Sequence, residues 1–145
     1  MAEVKGFEFN KETWAIVMHA GDTGSEWLGG RRESGTAWTE ADRCLFTVRS
    51  GNDILMQRIY RLDDQWGAGD GIFLFEMHNN DTDTWEPGTY DTEWRFDVNP
   101  AWESGEAPEG RCVNALATGD RMIEGDIVRT KVQSTLEIRG VLGDI

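Results

Sequence analysis

The stretch Asn79-x-Asp81-x-Asp83-x-x-Glu86 comes nearest to residue types and spacing that could do chemistry. Oxygen ligands at alternate positions are how calcium loops begin, because a hard cation needs several carboxylates converging from one bend. The stretch lacks the glycine and the distant bidentate glutamate of an EF-hand, so it is read as a solvated loop and no metal ligand is assigned. His19 and His78 each follow an apolar run and sit beside turn residues. With no cysteine or second histidine near either, they are read as hydrogen-bonded strand-end histidines rather than transition-metal ligands. Serine, histidine and aspartate are all present, yet no G-x-S-x-G elbow or comparable motif places a serine where a base could activate it. Carboxylates are so numerous that any pair of them says nothing about acid–base catalysis. The expectation is therefore a protein that is not an enzyme, with no catalytic residue, no cofactor and no metal.

The tryptophans are the other candidates. Trp14 and Trp94 belong to alternating strand faces and are read as core. Trp38, Trp66, Trp85 and Trp102 lie in or beside loops. A tryptophan there either folds back as a lid over a sandwich end or presents an aromatic surface, to a sugar ring by stacking or to a protein neighbour as an interface anchor. These four are the candidate interface residues, and the choice between sugar and protein stays open. Cys44 and Cys112 are far apart in sequence and have no CxxC neighbour, so metal knuckle and redox motif are both excluded. Free thiols are expected, with a disulfide possible only if the two strands are neighbours.

The elements that position these residues start with EPGTYDTEWRFD, Glu86 to Asp97. After the turn pair Pro87-Gly88, the residues Tyr90, Thr92, Trp94 and Phe96 alternate with Asp91, Glu93, Arg95 and Asp97, which predicts a strand with one buried and one wet face. Such a row cannot be buried by one strand alone, so other strands must stack against it. Thr13–Met18 reads as a largely apolar strand, Gly21–Gly24 as a turn, and Ser25–Leu28 as the returning strand. Residues 29–35 read as an exposed loop. Thr39–Asp42 has a spacing close to a capping box and leads into the strand Cys44–Arg49. The turn Ser50–Asp53 then joins that strand to Ile54–Leu62 in a hairpin, with Ile54, Met56, Arg58, Tyr60 and Leu62 facing the core. Residues 63–71 form an acidic, glycine-rich loop. Ile72–Met77, apolar almost throughout, reads as a strand covered on both sides. Residues 99–110 read as loop, Cys112–Thr118 as a strand, and Gln133–Leu142 as the closing strand with Leu136 and Ile138 inward.

Roughly eight to ten short strands with turn signals at the junctions and little or no helix predict an all-β fold, an antiparallel β-sandwich. At 145 residues the chain suits a single domain spanning 1–145, able to bury about 70% of its unfolded surface. A net charge of -13 repels phosphate, so nucleic acid and anionic membrane are excluded as partners. Met1–Lys5 leads into mixed residues without an apolar signal core, and no run is long enough for a membrane span, so synthesis in a cytoplasm is expected.

Two resemblances follow from these segments. Glu86-Pro87-Gly88-Thr89-Tyr90 resembles the approach to the tyrosine corner of immunoglobulin-like sandwiches, with Thr92 where an antibody domain has its cysteine. Over nearly the whole chain, the order of pieces resembles the N-terminal domain of baseplate upper proteins from tailed bacteriophages of Gram-positive bacteria. The matching pieces are Gly21-Asp22-Thr23, Thr39-Glu40-Ala41-Asp42, Phe46-Thr47-Val48-Arg49, Pro87-Gly88-Thr89-Tyr90-Asp91, Glu124–Thr130 and Leu136-Glu137-Ile138. Members of that family often continue into a longer C-terminal region carrying the receptor-binding machinery, whereas this sequence stops at Ile145. The resemblance implies a non-catalytic virion component that packs against copies of itself and other tail or baseplate proteins. Such a protein is made in the host bacterial cytoplasm and ends in the virion.

Overall fold

Alternation from Gly88 to Asp97 does form one ten-residue strand, and its apolar row lies at the centre of the molecule. The computed structural model describes residues 7–29, 42–62, 72–106, 108, 112–119, 121–123 and 128–140. In chain order the elements are β1 (Glu8–Phe9), β2 (Ile16–His19), β3 (Gly24–Gly29), β4 (Arg43–Ser50), β5 (Asp53–Arg61), β6 (Ile72–Met77), α1 (Asn79–Thr82), β7 (Gly88–Asp97), β8 (Ala101–Trp102), β9 (Cys112–Asn114), α2 (Ala115–Thr118), β10 (Met122–Ile123) and β11 (Val128–Arg139). The two helices are single turns, so the fold is all-β.

Seven strands form one curled sheet in the order β1-β2-β11-β7-β4-β5-β9, and β3 pairs with β6 in a separate two-stranded sheet. The order β11-β7-β4-β5, set against β3-β6, matches strands G-F-C-C′ against B-E of a variable-type immunoglobulin sandwich. One pairing departs from the antiparallel expectation, since β2 runs parallel to β11 with Ile16 opposite Leu136. Another correction concerns Ser25–Leu28. This segment does not return along β2, because the turn at 21–23 carries the chain across to the second sheet, where Trp27 lies opposite Leu74.

The β4–β5 hairpin is as expected. Ser50 pairs with Asp53, leaving a two-residue loop whose Gly51 has φ 60°, a backbone conformation that costs glycine little and that suits a tight hairpin turn. A bulge between Val48 and Arg49 shifts the register there. Beyond the bulge Ile54 lies at 38% exposure instead of joining the core, whereas Met56, Arg58, Tyr60 and Leu62 are buried as the alternation predicts.

The core lies between the sheets. Phe46, Val48, Trp94, Phe96, Ile16 and Leu136 come from the large sheet, and Leu28, Phe73, Phe75 and Met77 from the small one. Rings meet across the gap, Phe75 with Trp94 at 5.2 Å and Tyr60 with Phe73 at 4.9 Å between centroids. Among the described side chains of β6, Phe73, Phe75 and Met77 are buried, while Leu74 and Glu76 on the other face are half-buried, so the second side of this strand is only partly covered. Trp14 is buried just ahead of β2 at φ 63°, a region bulky residues rarely enter. Its amide donates to the Asn10 carbonyl and its ring lies edge-on to Trp94.

Three expectations about loops are corrected. Residues 99–110 are not loop throughout, because Ala101–Trp102 pairs with Met122–Ile123. The strand expected over Cys112–Thr118 ends at Asn114 and gives way to the turn α2. Asn79–Thr82 is a helical turn rather than open loop. Trp38, Trp66, Thr39–Ala41 and Glu124–Ile127 lie outside the described residues.

Candidate functional site

Asp81 decides the fate of the acidic stretch. Its Oδ1 is 2.6 Å from the Arg58 guanidinium, and its Oδ2 accepts the His78 backbone N–H at 2.6 Å. Arg58 is 4% exposed and also donates to the Glu76 carbonyl. Burial works to lower the Arg58 pKa, but Tyr60 and Asp81 beside it outweigh burial and hold it above its ordinary value. Both oxygens of Asp81 are therefore engaged, and Asp83 and Glu86 point into solvent. Thr82, next to Asp81, is buried and accepts the Gly21 N–H, pinning the helical turn to the turn between β2 and β3. The acids do not converge, and no cluster of three or more metal-binding side chains occurs among the described residues. Arg58 was legible as a core-face residue, but only the fold brings it its aspartate from beyond β6.

His19 and His78 stand at strand ends. The Nδ1 of His19 lies 2.9 Å from the Gly140 carbonyl, and its backbone N–H donates to Asp22. His78 Nε2 lies 3.5 Å from Glu76. Cys44 and Cys112 both pair with Tyr60, from opposite sides, so β5 separates them. Two sheet spacings, about 9.6 Å, exceed the reach of a disulfide, and both thiols are free.

Of the four candidate tryptophans, two are described, and both are half-buried. Trp85 packs against Tyr90 at 5.1 Å between centroids. Tyr90 in turn donates its hydroxyl to the Glu86 carbonyl at 2.6 Å, which is the tyrosine corner the sequence suggests. Trp102 lies over the outer face of the large sheet, where the Arg43 guanidinium sits 5.7 Å from its ring centroid. A third residue, Trp27, was read only as strand. It lines a cavity of about 270 Å³ with Phe9, Lys11, Trp14 and Leu28 at the edge of β3.

The outer face under Trp102 holds the feature that the sequence reading missed. Leu45, Ile59, Val113 and Ala115 form a second apolar cluster there, and Trp102 and Met122 pack on it. Beside this cluster runs a groove of about 370 Å³, lined by Leu45, Ile54, Gln57, Arg95, Leu116 and Arg121, among others. Ile54 and Leu116, at 38% and 50%, are the exposed large hydrophobic residues among the described residues, and both line this groove. Arg95 binds Asp97 through Nε at 2.9 Å, while its buried Nη2 has no hydrogen-bond partner. The available signal was the alternation of β4, which puts Leu45 on the side away from Phe46. What covers that side depends on where residues 98–123 fold, which periodicity does not state.

A groove of apolar side chains edged by guanidinium groups can hold a partner's apolar side chain and a neighbouring carboxylate. Comparison with protein-family models, curated proteins and solved structures gives no significant match for this chain.

Proposed function

We propose that this chain is a non-catalytic structural protein of a phage or prophage tail or baseplate, acting through protein–protein assembly contacts. The observation that carries the assembly reading is the apolar cluster on the outer face of the large sheet, with Ile54 and Leu116 exposed in the groove beside it. A sandwich core needs only the inner faces, and a further apolar patch open to solvent is characteristic of a surface that meets a protein partner. The tail setting comes from the resemblance, several of whose segments fall on the adjoining strands β11, β7 and β4. Trp85 and Trp102 rest against the body of the sandwich, which favours assembly over a sugar platform built from loop tryptophans.

Immunodetection across a density gradient of a producing lysate tests the setting, with co-sedimentation in tail-bearing particles as the expected result. A chain found only at the top of the gradient would contradict it. Titration with a glycan panel while tryptophan fluorescence is followed should give no response, and a saturable change would move the function to carbohydrate binding.

A further inference from the structure

The assembly reading leaves the partner open, and the chemistry of the groove narrows it. Leu45 and Ala115 are buried along the groove and Ile54 and Leu116 are exposed in it, so much of its lining is apolar. Among the described residues its charged lining is Arg95 and Arg121, both cationic in a chain whose net charge is -13. Both have capacity to spare. Arg95 reaches Asp97 through Nε, but its buried Nη2 has no hydrogen-bond partner among the described residues. Arg121 is largely exposed and meets Glu103 loosely, at 3.9 Å. A buried donor without an acceptor is costly, and a carboxylate entering the groove satisfies it with a charge-assisted bond.

We propose, resting on the assembly reading, that the groove takes a short segment of a different protein in which an apolar side chain stands next to a carboxylate. The apolar side chain lies against Leu45, Ala115 and Leu116, and the carboxylate accepts from Arg95, with Arg121 at the rim. At about 370 Å³ the groove lies near the lower end of the range for ligand pockets, about 300–1,000 Å³, which suits a few residues rather than a whole helix. Charge also sets what the rest of the partner is. Long-range repulsion acts on a partner's total charge, whereas the groove meets a single carboxylate at contact. A partner that is neutral or basic overall therefore escapes the repulsion that a second copy, at -13, would bring.

The test is titration of the full chain with capped dipeptides, followed through the backbone amide signals in nitrogen-15 NMR. Acetyl-leucyl-aspartyl amide, at up to about 10 mM, reveals a dissociation constant near about 1 mM, and it should shift the amides of Leu45, Ala115, Leu116 and Met122 saturably. Acetyl-leucyl-asparaginyl amide keeps the shape and loses the charge, and acetyl-glycyl-aspartyl amide keeps the charge and loses the apolar side chain. Each should bind about 10-fold or more weakly than the first. Arg95 is probed from the ligand side in this way, because replacing it would deprive the buried Asp97 of this ion pair. On the protein side, Leu116→Gln should weaken the first peptide about 10-fold and the rim variant Arg121→Gln only about 2-fold. Thr23→Gln, exposed on the β2–β3 turn, should leave it unchanged. The amide spectrum itself shows whether each variant is folded.

Equal affinity for the aspartyl and asparaginyl peptides would overturn the proposal, as would shifts that gather away from the groove or no shift at the highest concentration. The particle assay is separate. A chain that binds the aspartyl peptide in the groove but is missing from all particles would fail the tail setting and not this proposal.

Discussion

Among the described residues Trp94 has five aromatic neighbours, Phe46 at 4.2 Å, Trp14 at 5.0 Å, Phe75 at 5.2 Å, Phe9 at 6.2 Å and Phe73 at 6.3 Å between ring centroids. Its truncation to alanine opens a cavity between the two sheets, and an expected loss of about 3–5 kcal/mol would appear in urea unfolding. The indole Nε1 has no hydrogen-bond partner, so Trp94→Phe sacrifices volume but no bond and should cost markedly less. Alternation alone identified this residue as core, because a strand's two-residue period survives whatever the rest of the chain does. Two other core groups tie stability to pH. Burial raises the Cys44 thiol well above its ordinary 9.0, with Asp97 adding to it, and burial raises the Tyr60 phenol well above its ordinary 10.0, with Cys112 adding to it. Both groups keep in the folded state protons that the unfolded chain gives up. Their stability contribution is thus complete below pH 9 and declines as pH rises, at about 1.4 kcal/mol per unit for each group titrating only in the unfolded chain. Unfolding free energies measured from pH 8 to 11 should fall from about pH 9 and fall faster above about pH 10. Tyr60→Phe should remove the second increment and leave the first.

At the scale of elements, α1 is held by what it brings to the barrel of side chains beneath it. Asp81 reaches Arg58 on β5, and Thr82 accepts the amide of Gly21. Arg58 is 4% exposed, so removing its aspartate strands a guanidinium away from water. Asp81→Ala should cost about 3–5 kcal/mol through the broken pair, with up to about 1 kcal/mol more from the lost contact to the His78 amide at the start of the turn. A double replacement by apolar residues, Arg58→Met with Asp81→Leu, should recover much of the loss in the same unfolding assay. Recovery no better than the single variant would show that the stranded guanidinium is not the source of the loss. How much of this scale the sequence revealed follows from range. The β4–β5 hairpin and the corner at Tyr90 are set by residues a few positions apart and were legible. The pairing of β3 with β6, the parallel contact of β2 with β11 and the ladder of β8 with β10 join distant segments, and no local pattern specifies them. The candidate site falls in the second class, since Leu45 and Leu116 line one groove only because β9 docks on β5 and turns into α2 there.

For the molecule as a whole, -13 is the governing number. Like charges on a compact body repel more than on an expanded chain, so the folded state bears a penalty that salt relieves. The opposing effect is the screening of favourable pairs, and their placement decides which wins. Arg58–Asp81 and Arg95–Asp97 have side chains at 5%/12% and 12%/0% exposure, where salt screens weakly. Arg121–Glu103 and Arg139–Glu137 are largely exposed and contribute little at any salt. Repulsion therefore dominates the salt response. Raising salt from about 0.01 M to about 0.15 M should lift the thermal midpoint by about 3–5 °C, which corresponds to about 1 kcal/mol for a chain of this size. A midpoint that fell with salt would mean that the surface ion pairs, and not the net charge, set the balance.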